Sequence, residues 1–275
     1  MPELPEVETV CRGLRSKLLG KQIARVEIRR PDLRIPFPPE FESRLTGRRI
    51  GSITRRAKYI LARLDEDLVL ICHLGMSGRL LVSDVPVIPG THDHVLIHMD
   101  TGECVVMNDV RRFGLMTLSS EAELESHPLL AGLGPEPLSD TFDGAYLSSV
   151  LKGRRTSIKA ALLDQRVVAG IGNIYVCEAL YHARVSPRRL AASVAGRRAE
   201  RLVPAIKSVL KDAISAGGSS IRDYVQTSGE LGYFQYNWAV YGREGQPCPH
   251  CDCEVGIKRI LQSGRSTFLC LTRQR

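Results

Sequence analysis

The sequence predicts an α+β multidomain protein, in which a helix leads an antiparallel β-sandwich or barrel, a mainly helical domain follows, and a small cysteine-stapled hairpin ends the chain. Three observations carry this. Between Ile23 and Leu118, short β-like runs are separated by turn residues with no helix alternating between them, which argues for antiparallel pairing and against a parallel sheet. After about Pro128 the apolar spacing becomes helical. Finally, Cys248, Cys251, Cys253 and Cys270 crowd the carboxyl end.

In order along the chain, Val7, Val10, Cys11, Leu14 and Leu18 recur at helical spacing, and Gly20 closes the run where a left-handed cap would sit. Pro2 and Pro5 are expected to shape an extended lead-in, with Glu6 and Glu8 favouring the positive end of that helix. The expected strands run from Ile23 to Ile28, Ile50 to Thr54, Tyr59 to Leu64, Leu68 to Cys72, Arg79 to Val82, Val95 to Met99, Cys104 to Met107 and Leu115 to Leu118. Gly132-Leu-Gly-Pro-Glu-Pro137 reads as a linker. The expected division is therefore a β domain over 1–131, a linker over 132–142, a helical domain over 143–236 and a hairpin over 237–275. Helices are expected from Gly144 to Leu151, Ile158 to Asp164, Asn173 to His182 and Ala195 to Ala216, in a segment dense in arginine and lysine.

Hydrophobic residues make up 43% of the 275 and charged residues 25%, as in a folded globular chain. No run approaches the ~18 apolar residues of a membrane span. The amino terminus is acidic where a secretion signal would be basic, so a cytoplasmic protein with no membrane partner is expected. Lysine and arginine outnumber the acids 38 to 30, and the net charge of +8 suits a polyanionic partner. Cys11, Cys72, Cys104 and Cys177 lie in apolar stretches and read as core, whereas the carboxyl-terminal cluster reads as metal ligands.

Chemistry concentrates at Pro2. Initiator methionine is normally removed before a small residue, which would leave a secondary amine at the chain's end. An α-amino group titrates near pH ~8 against ~10.4 for lysine, so part of it is unprotonated at neutral pH and can attack a sugar C1′ to form an iminium electron sink. Glu3 is placed to donate or accept the accompanying proton. Arg55-Arg-Ala-Lys58-Tyr puts a lysine inside a strand-like run, where it could hold a phosphate or act as a base. Met76 on a glycine-flanked turn and Phe113 in Asn108-Asp-Val-Arg-Arg-Phe-Gly114 read either as core residues or, with Arg111, as the apolar and guanidinium groups that a protein extruding a base needs to fill the stack. Glycines before Asn173 allow the start of the next helix to approach a phosphate, with Asn173 capping that helix or binding the phosphate itself. Arg265 is expected at the tip of a metal-stapled hairpin, able to enter a DNA groove.

Together, Met1-Pro-Glu-Leu-Pro-Glu-Val-Glu-Thr9, Arg56-Ala-Lys-Tyr59, His73-Leu-Gly-Met-Ser-Gly78, Asp109-Val-Arg-Arg-Phe-Gly114, Gly170-Ile-Gly-Asn-Ile-Tyr175 and Gly264-Arg-Ser-Thr-Phe268 closely resemble the bacterial formamidopyrimidine-DNA glycosylases. The resemblance runs from residue 1 to about residue 270. It implies a β-sandwich led by the Pro2 helix, then a helix-two-turn-helix domain and a zinc-finger β-hairpin, with DNA in the cleft between. It implies base-excision repair of duplex DNA containing oxidised purines by a monomer, with Pro2 as Schiff-base nucleophile, Glu3 as proton donor, Lys58 in β-elimination and phosphate contact, and Arg265 in δ-elimination. Met76, Arg111 and Phe113 match the residues that fill the duplex hole, Arg111 facing the cytosine opposite the lesion. His92, Arg155 and Asn173 match DNA-backbone contacts. Thr227-Ser-Gly-Glu-Leu-Gly-Tyr-Phe234-Gln looks like the loop that closes over the flipped base.

One zinc ion is implied, yet the family ends on a Cys-x-x-Cys pair and here Arg273 stands where the last cysteine is expected. Cys248 can pair with Cys251 or with Cys253, leaving the ligand set open among the four cysteines. Two other readings stand beside the leading one: an endonuclease VIII-type enzyme acting on oxidised pyrimidines, and a non-catalytic damage-binding protein. His73-Leu-Gly-Met76 and the long loop at Thr227 favour the purine enzyme over the first, and the presence of Pro2, Glu3 and Lys58 argues against the second.

Overall fold

The computed structural model describes residues 1–219 and 234–275. These form two compact units, one built from residues 1–131 with 216–219, the other from 132–215 with 234–275.

The first unit opens with α1 (Leu4–Leu18), which starts earlier than the apolar spacing suggests because Pro5 lies within its first turn. Proline is tolerated there, since its missing N–H would have had no intrahelical partner. Gly20 follows at φ 80° and ends the helix. Two antiparallel sheets form the body. One takes the order β1-β6-β7-β5 (Ile23–Ile28, Asp93–Met99, Cys104–Asn108, Arg79–Ser83); the other takes β2-β3-β4-β8 (Ile50–Arg56, Tyr59–Leu64, Leu68–His73, Leu115–Ser120). All eight expected strands form. Inward side chains of both sheets, among them Val26, Ile97 and Val105 from one and Ile53, Ile60 and Leu70 from the other, share a single core with Val7, Val10, Cys11, Leu14 and Leu18 of α1. Each such buried aliphatic contributes about 1.5–3 kcal/mol, so the α1 face alone is enough to hold the amino terminus against the sandwich. A short helix, α2 (Phe41–Leu45), has no counterpart in the sequence reading. Five residues are too few to show a helical period, and only Phe41 and Leu45 reach the core.

The second unit contains α3 (Gly144–Leu151), α4 (Ile158–Leu163), α5 (Asn173–His182) and α6 (Arg197–Ser215), followed by the hairpin β9–β10 (Ile257–Gln262, Arg265–Cys270). From Ile174 to Tyr181 every residue of α5 is buried, so this helix is the axis on which the others pack. Ser263 and Gly264 close the hairpin with φ of 48° and 73°, the two left-handed positions of a tight two-residue turn. Cys177 and Tyr181 of α5 share a small core with Ile257, Phe268 and Cys270 of the hairpin.

Candidate active site and metal centre

Pro2 and Glu3 lie buried at the head of α1, with Glu3 only 3% exposed. What holds them there is Glu6, which sequence reasoning treated only as a charge favouring the helix end. One of its carboxylate oxygens accepts the Glu3 N–H at 2.8 Å, and the other accepts the Ser219 N–H at 2.8 Å. Glu6 is fully buried, so it is committed to these amides and withdrawn from solvent. Farther along α1, Glu8 pairs with Arg55 of β2 at 3.3 Å, and Arg55 in turn donates to the Ala57 carbonyl at 2.9 Å. The helix that carries Pro2 is thereby tied to the turn that carries Lys58.

Lys58 does not sit inside a strand, as its flanking residues had suggested. Ala57, with φ 53°, and Lys58 form the two-residue turn between β2 and β3. Left-handed backbone at a non-glycine residue gives little sequence signal. Lys58 is 7% exposed and is close enough to His73 to affect its titration. Burial first, then the positive charges of Lys58 and Arg34, bring the His73 pKa down to about 4. Its Nδ1 accepts the Gly75 N–H at 2.9 Å, which assigns the remaining proton to Nε2.

Met76 and Phe113 belong to two loops that touch backbone to backbone. Gly75 has φ 62°, and a Cβ there would come within 2.2 Å of the Phe113 carbonyl carbon, so only glycine allows the approach. Ser77 and Asp109 clasp the same loops. The Ser77 hydroxyl donates to Asp109 at 2.6 Å and accepts the Arg111 N–H at 3.0 Å, while the other Asp109 oxygen accepts the Gly114 N–H at 2.8 Å. Above this clasp Arg111 lies 4.8 Å from the centre of the exposed Phe113 ring. Met76, Arg111 and Phe113 are thus presented together by buried polar groups that the sequence reading did not single out. His92 is exposed nearby, its carbonyl accepting the Asp109 N–H at 2.9 Å.

In the second unit Gly172 occupies the cap position of α5, so Asn173 does not cap that helix. Its side-chain amide instead donates to the Ser266 carbonyl at 3.0 Å, and its Oδ1 is buried with no hydrogen-bond partner among the described residues. Lys159, 1% exposed, donates to the same Ser266 carbonyl at 3.0 Å and to the Thr267 hydroxyl at 2.6 Å. The start of β10, and with it the exposed Arg265, is therefore pinned to α4 and to the head of α5. Gln165 shapes the glycine turn, accepting from Gly170 N–H at 2.8 Å and donating to the Ile171 carbonyl at 3.0 Å. Arg155 is exposed in the loop between α3 and α4. Residues 227–233 of the expected closing loop lie outside the described residues.

With this geometry in view, comparison with known proteins decides the family. The profile of the formamidopyrimidine-DNA glycosylase N-terminal domain matches residues 1–116, and that of the formamidopyrimidine-DNA glycosylase H2TH domain matches residues 133–225. The chain belongs to the formamidopyrimidine-DNA glycosylase family. It is 60% identical to the Rhodospirillum centenum formamidopyrimidine-DNA glycosylase, with 100% of each chain covered. Among solved structures it is similar to the MutM (Fpg) protein of Thermus thermophilus, at a TM-score of 0.88 and 40% identity over 99% of this chain and 98% of that one. It is also similar to Lactococcus lactis Fpg in complex with DNA containing an abasic site, at a TM-score of 0.90 and 33% identity over 99% of both chains.

The four carboxyl-terminal cysteines come together as a group that could hold a metal ion. The thiol sulfurs of Cys248, Cys251, Cys253 and Cys270 all lie within 4.8 Å of one another, with Cys251 and Cys253 at 3.5 and 3.6 Å from Cys270. Sulfurs bound at ~2.3 Å to one tetrahedral ion stand a little under 4 Å apart, so the four fit a single metal. Burial works against ionising Cys248, but hydrogen bonds from Tyr181, the His250 backbone and the neighbouring thiols bring its pKa down to about 7. Arg273 supplies no ligand. Its guanidinium lies 5.2 Å from the centre of the Tyr181 ring, while its backbone N–H points to the Cys270 sulfur at 3.4 Å.

Proposed function

We propose that the chain excises oxidised purines, 8-oxoguanine and formamidopyrimidines, from duplex DNA and then nicks the abasic site by β,δ-elimination. The observation that carries this is full-length identity with enzymes named for formamidopyrimidine release, combined with a buried Pro2–Glu3 pair at the head of α1. In this reading the Pro2 amine attacks C1′ as the glycosidic bond breaks and the base leaves with a proton. Glu3 protonates the ring oxygen, opening the sugar to an iminium. Loss of the C2′ proton, with Lys58 assisting, expels the 3′ phosphate. A second elimination, with Arg265 assisting, expels the 5′ phosphate, and water then hydrolyses the iminium to free Pro2. Met76, Arg111 and Phe113 fill the gap left by the extruded nucleotide, and His92, Arg155 and Asn173 contact the backbone. The neutral His73 imidazole adds no further positive charge to those of Lys58 and Arg34.

Zinc is the metal that the four thiolates suit, and its contribution is structural: when bound, it holds the hairpin that presents Arg265. The expected domains over 1–131, 143–236 and 237–275, a monomeric state and a cytoplasmic location on nucleoid DNA belong to the same reading. Among the described residues no helix is long and apolar enough to cross a membrane.

Borohydride trapping on an 8-oxoguanine duplex tests the reading. The native chain is expected to be captured covalently, and Pro2→Gly to lose capture and base release by orders of magnitude while still binding damaged DNA. Undiminished capture in Pro2→Gly would transfer the chemistry to a lysine. Failure of the native chain to trap would make it a damage-binding protein, and faster release of oxidised pyrimidines would make it an endonuclease VIII-type enzyme.

A further inference from the structure

The second unit carries a strongly basic cavity of about 740 Å³ that the glycosylase chemistry does not use. Arg184 and Arg189 enter it from the segment after α5, and Arg197, Arg198 and Arg201 from the first turns of α6. Arg273 and Arg275 reach it from the carboxyl end. His250, Cys251 and Thr272 complete the lining, so the wall holds no acidic and no aliphatic side chain. Among the described residues none of these arginines forms an ion pair with a side chain. Arg201 donates to the neutral Ala183 carbonyl at 2.8 Å and Arg198 to that of Ser193 at 3.2 Å, and the Nε atoms of Arg189 and Arg273 are buried with no acceptor among the described residues. The positive end of the 19-residue α6 opens at the same place. So many guanidinium groups without a carboxylate partner around one cavity repel one another, and a polyanion relieves that cost.

On the cavity wall, Arg184 and Arg273 stand away from Asn173 and Arg265, two of the residues of this unit assigned to the lesion duplex. The Arg189 edge adjoins the loop of the third, Arg155, through the Ile158 N–H on the Arg189 carbonyl at 2.7 Å and the Ala191 N–H on that of Thr156 at 2.8 Å. Asn173 stands at the first residue of α5 and Arg184 just past its last, so ten residues of helix, ~15 Å at 1.5 Å per residue, lie between them. Arg265 opens β10, whereas Arg273 follows its end. The near ends of the two elements meet at the Asn173–Ser266 hydrogen bond, and their far ends meet where the Arg273 guanidinium, just past β10, lies 5.2 Å from the centre of the Tyr181 ring.

From this we propose that the cavity binds the sugar-phosphate backbone of a second DNA duplex, so that one protein molecule holds a lesion site and a neighbouring strand segment at once. Arginine without a single lysine suits bidentate contact with phosphate oxygens. With His250 as the one ring in the wall and no aliphatic side chain beside it, there is little to anchor a peptide side chain. The volume exceeds what a lone phosphate needs and falls in the range of sites that enclose larger ligands. That the polyanion is DNA rests on the glycosylase reading; that it is a phosphate polymer rests on the cavity alone.

The test uses the full-length protein, first saturated with an unlabelled duplex carrying a tetrahydrofuran abasic-site analogue and then titrated with a fluorescent undamaged duplex at low salt. The native chain is expected to take up one further duplex. Arg184→Gln combined with Arg197→Gln, both exposed positions, should weaken that second association about tenfold and lower its salt slope by ~0.9 for each phosphate no longer neutralised, with borohydride trapping and metal content unchanged. A native chain that traps normally yet takes up no second duplex overturns the proposal. So does a double variant that binds it as the native chain does, or a glutamate-rich oligopeptide that occupies the site in preference to DNA. If the native chain binds undamaged duplex through these arginines and fails to trap, the cavity stands and the glycosylase reading falls.

Discussion

Glu6 accepts the backbone N–H of Glu3 at 2.8 Å with both residues buried, so the position of the proposed nucleophile's neighbour is set by a carboxylate three residues along the chain. The other oxygen of the same group holds Ser219. Glu6→Ala should remove the Glu6 acceptor from two buried N–H donors, at ~1–3 kcal/mol each. A lower unfolding midpoint is expected, together with a fall in single-turnover base release larger than the fall in DNA affinity. Glu6→Gln, which keeps one acceptor oxygen, should recover part of the midpoint. Equal loss of binding and catalysis would assign Glu6 to stability alone.

Gly75 faces the Phe113 carbonyl so closely that Gly75→Ala must displace one loop or the other. The left-handed φ costs ~1–2 kcal/mol for an L-residue, and forcing a methyl against backbone adds ~1–3 kcal/mol. The variant should unfold earlier and discriminate poorly against bases other than cytosine opposite the lesion, since Arg111 and Phe113 move with the loop. Thermal melting with excision assays on the four opposite-base duplexes would show this. Unchanged discrimination would separate Met76 from the Phe113 loop.

His73 should make stability depend on pH. Its folded pKa is lowered from 6.5 to about 4, so between those values the unfolded chain binds more protons than the folded one. Stability therefore rises with pH from about 4 to 6.5, is fully present above 6.5 and is lost on acidification through that window, by about 3 kcal/mol at most. Denaturant titrations of native and His73→Gln protein across the window should show a shallower slope in the variant. Parallel curves would mean that other groups carry the acid sensitivity.

The sandwich strands were legible as short apolar runs bounded by turns such as Asp65-Glu66-Asp67 and Asp100-Thr101-Gly102, although strands such as β4 and β7 are buried along nearly their whole length and not on alternate residues. The helix α5 was legible because its ends are marked by Gly172 and the residues after His182. The reactive groups were legible as residue types in motifs. Their supports were not. Glu6, Ser77, Asp109 and Lys159 act through contacts as distant in sequence as Ser219 is from Glu6 or Thr267 from Lys159, and no local pattern reports such pairings. Lys58 was misplaced for a related reason, since the turn it occupies depends on a left-handed alanine. The arginines around the basic cavity read in sequence only as charge density, because their convergence needs the turn after α5, the start of α6 and the carboxyl end to fold together.

The metal centre gives the last prediction. Arg273 stands where a thiolate is expected, so a site limited to the usual spacing would hold three sulfurs, and structural zinc takes four ligands. Here the fourth is present because the chain between Cys251 and Cys253 folds both thiols toward Cys270, while the Arg273 backbone N–H still supports the Cys270 sulfur whatever its side chain. Mass spectrometry on gently purified protein should therefore find one zinc per chain. Cys253→Ser should weaken its retention, and Arg273→Cys should leave the content at one. Chelation should lower the melting temperature, since structural zinc supplies on the order of 10 kcal/mol in isolated fingers. It should also weaken DNA binding, because Arg265 opens the strand that Cys270 closes. A native chain without zinc beside an Arg273→Cys variant that holds one would show that Cys251 and Cys253 cannot serve the same ion, and that the arginine is a lost ligand with no replacement.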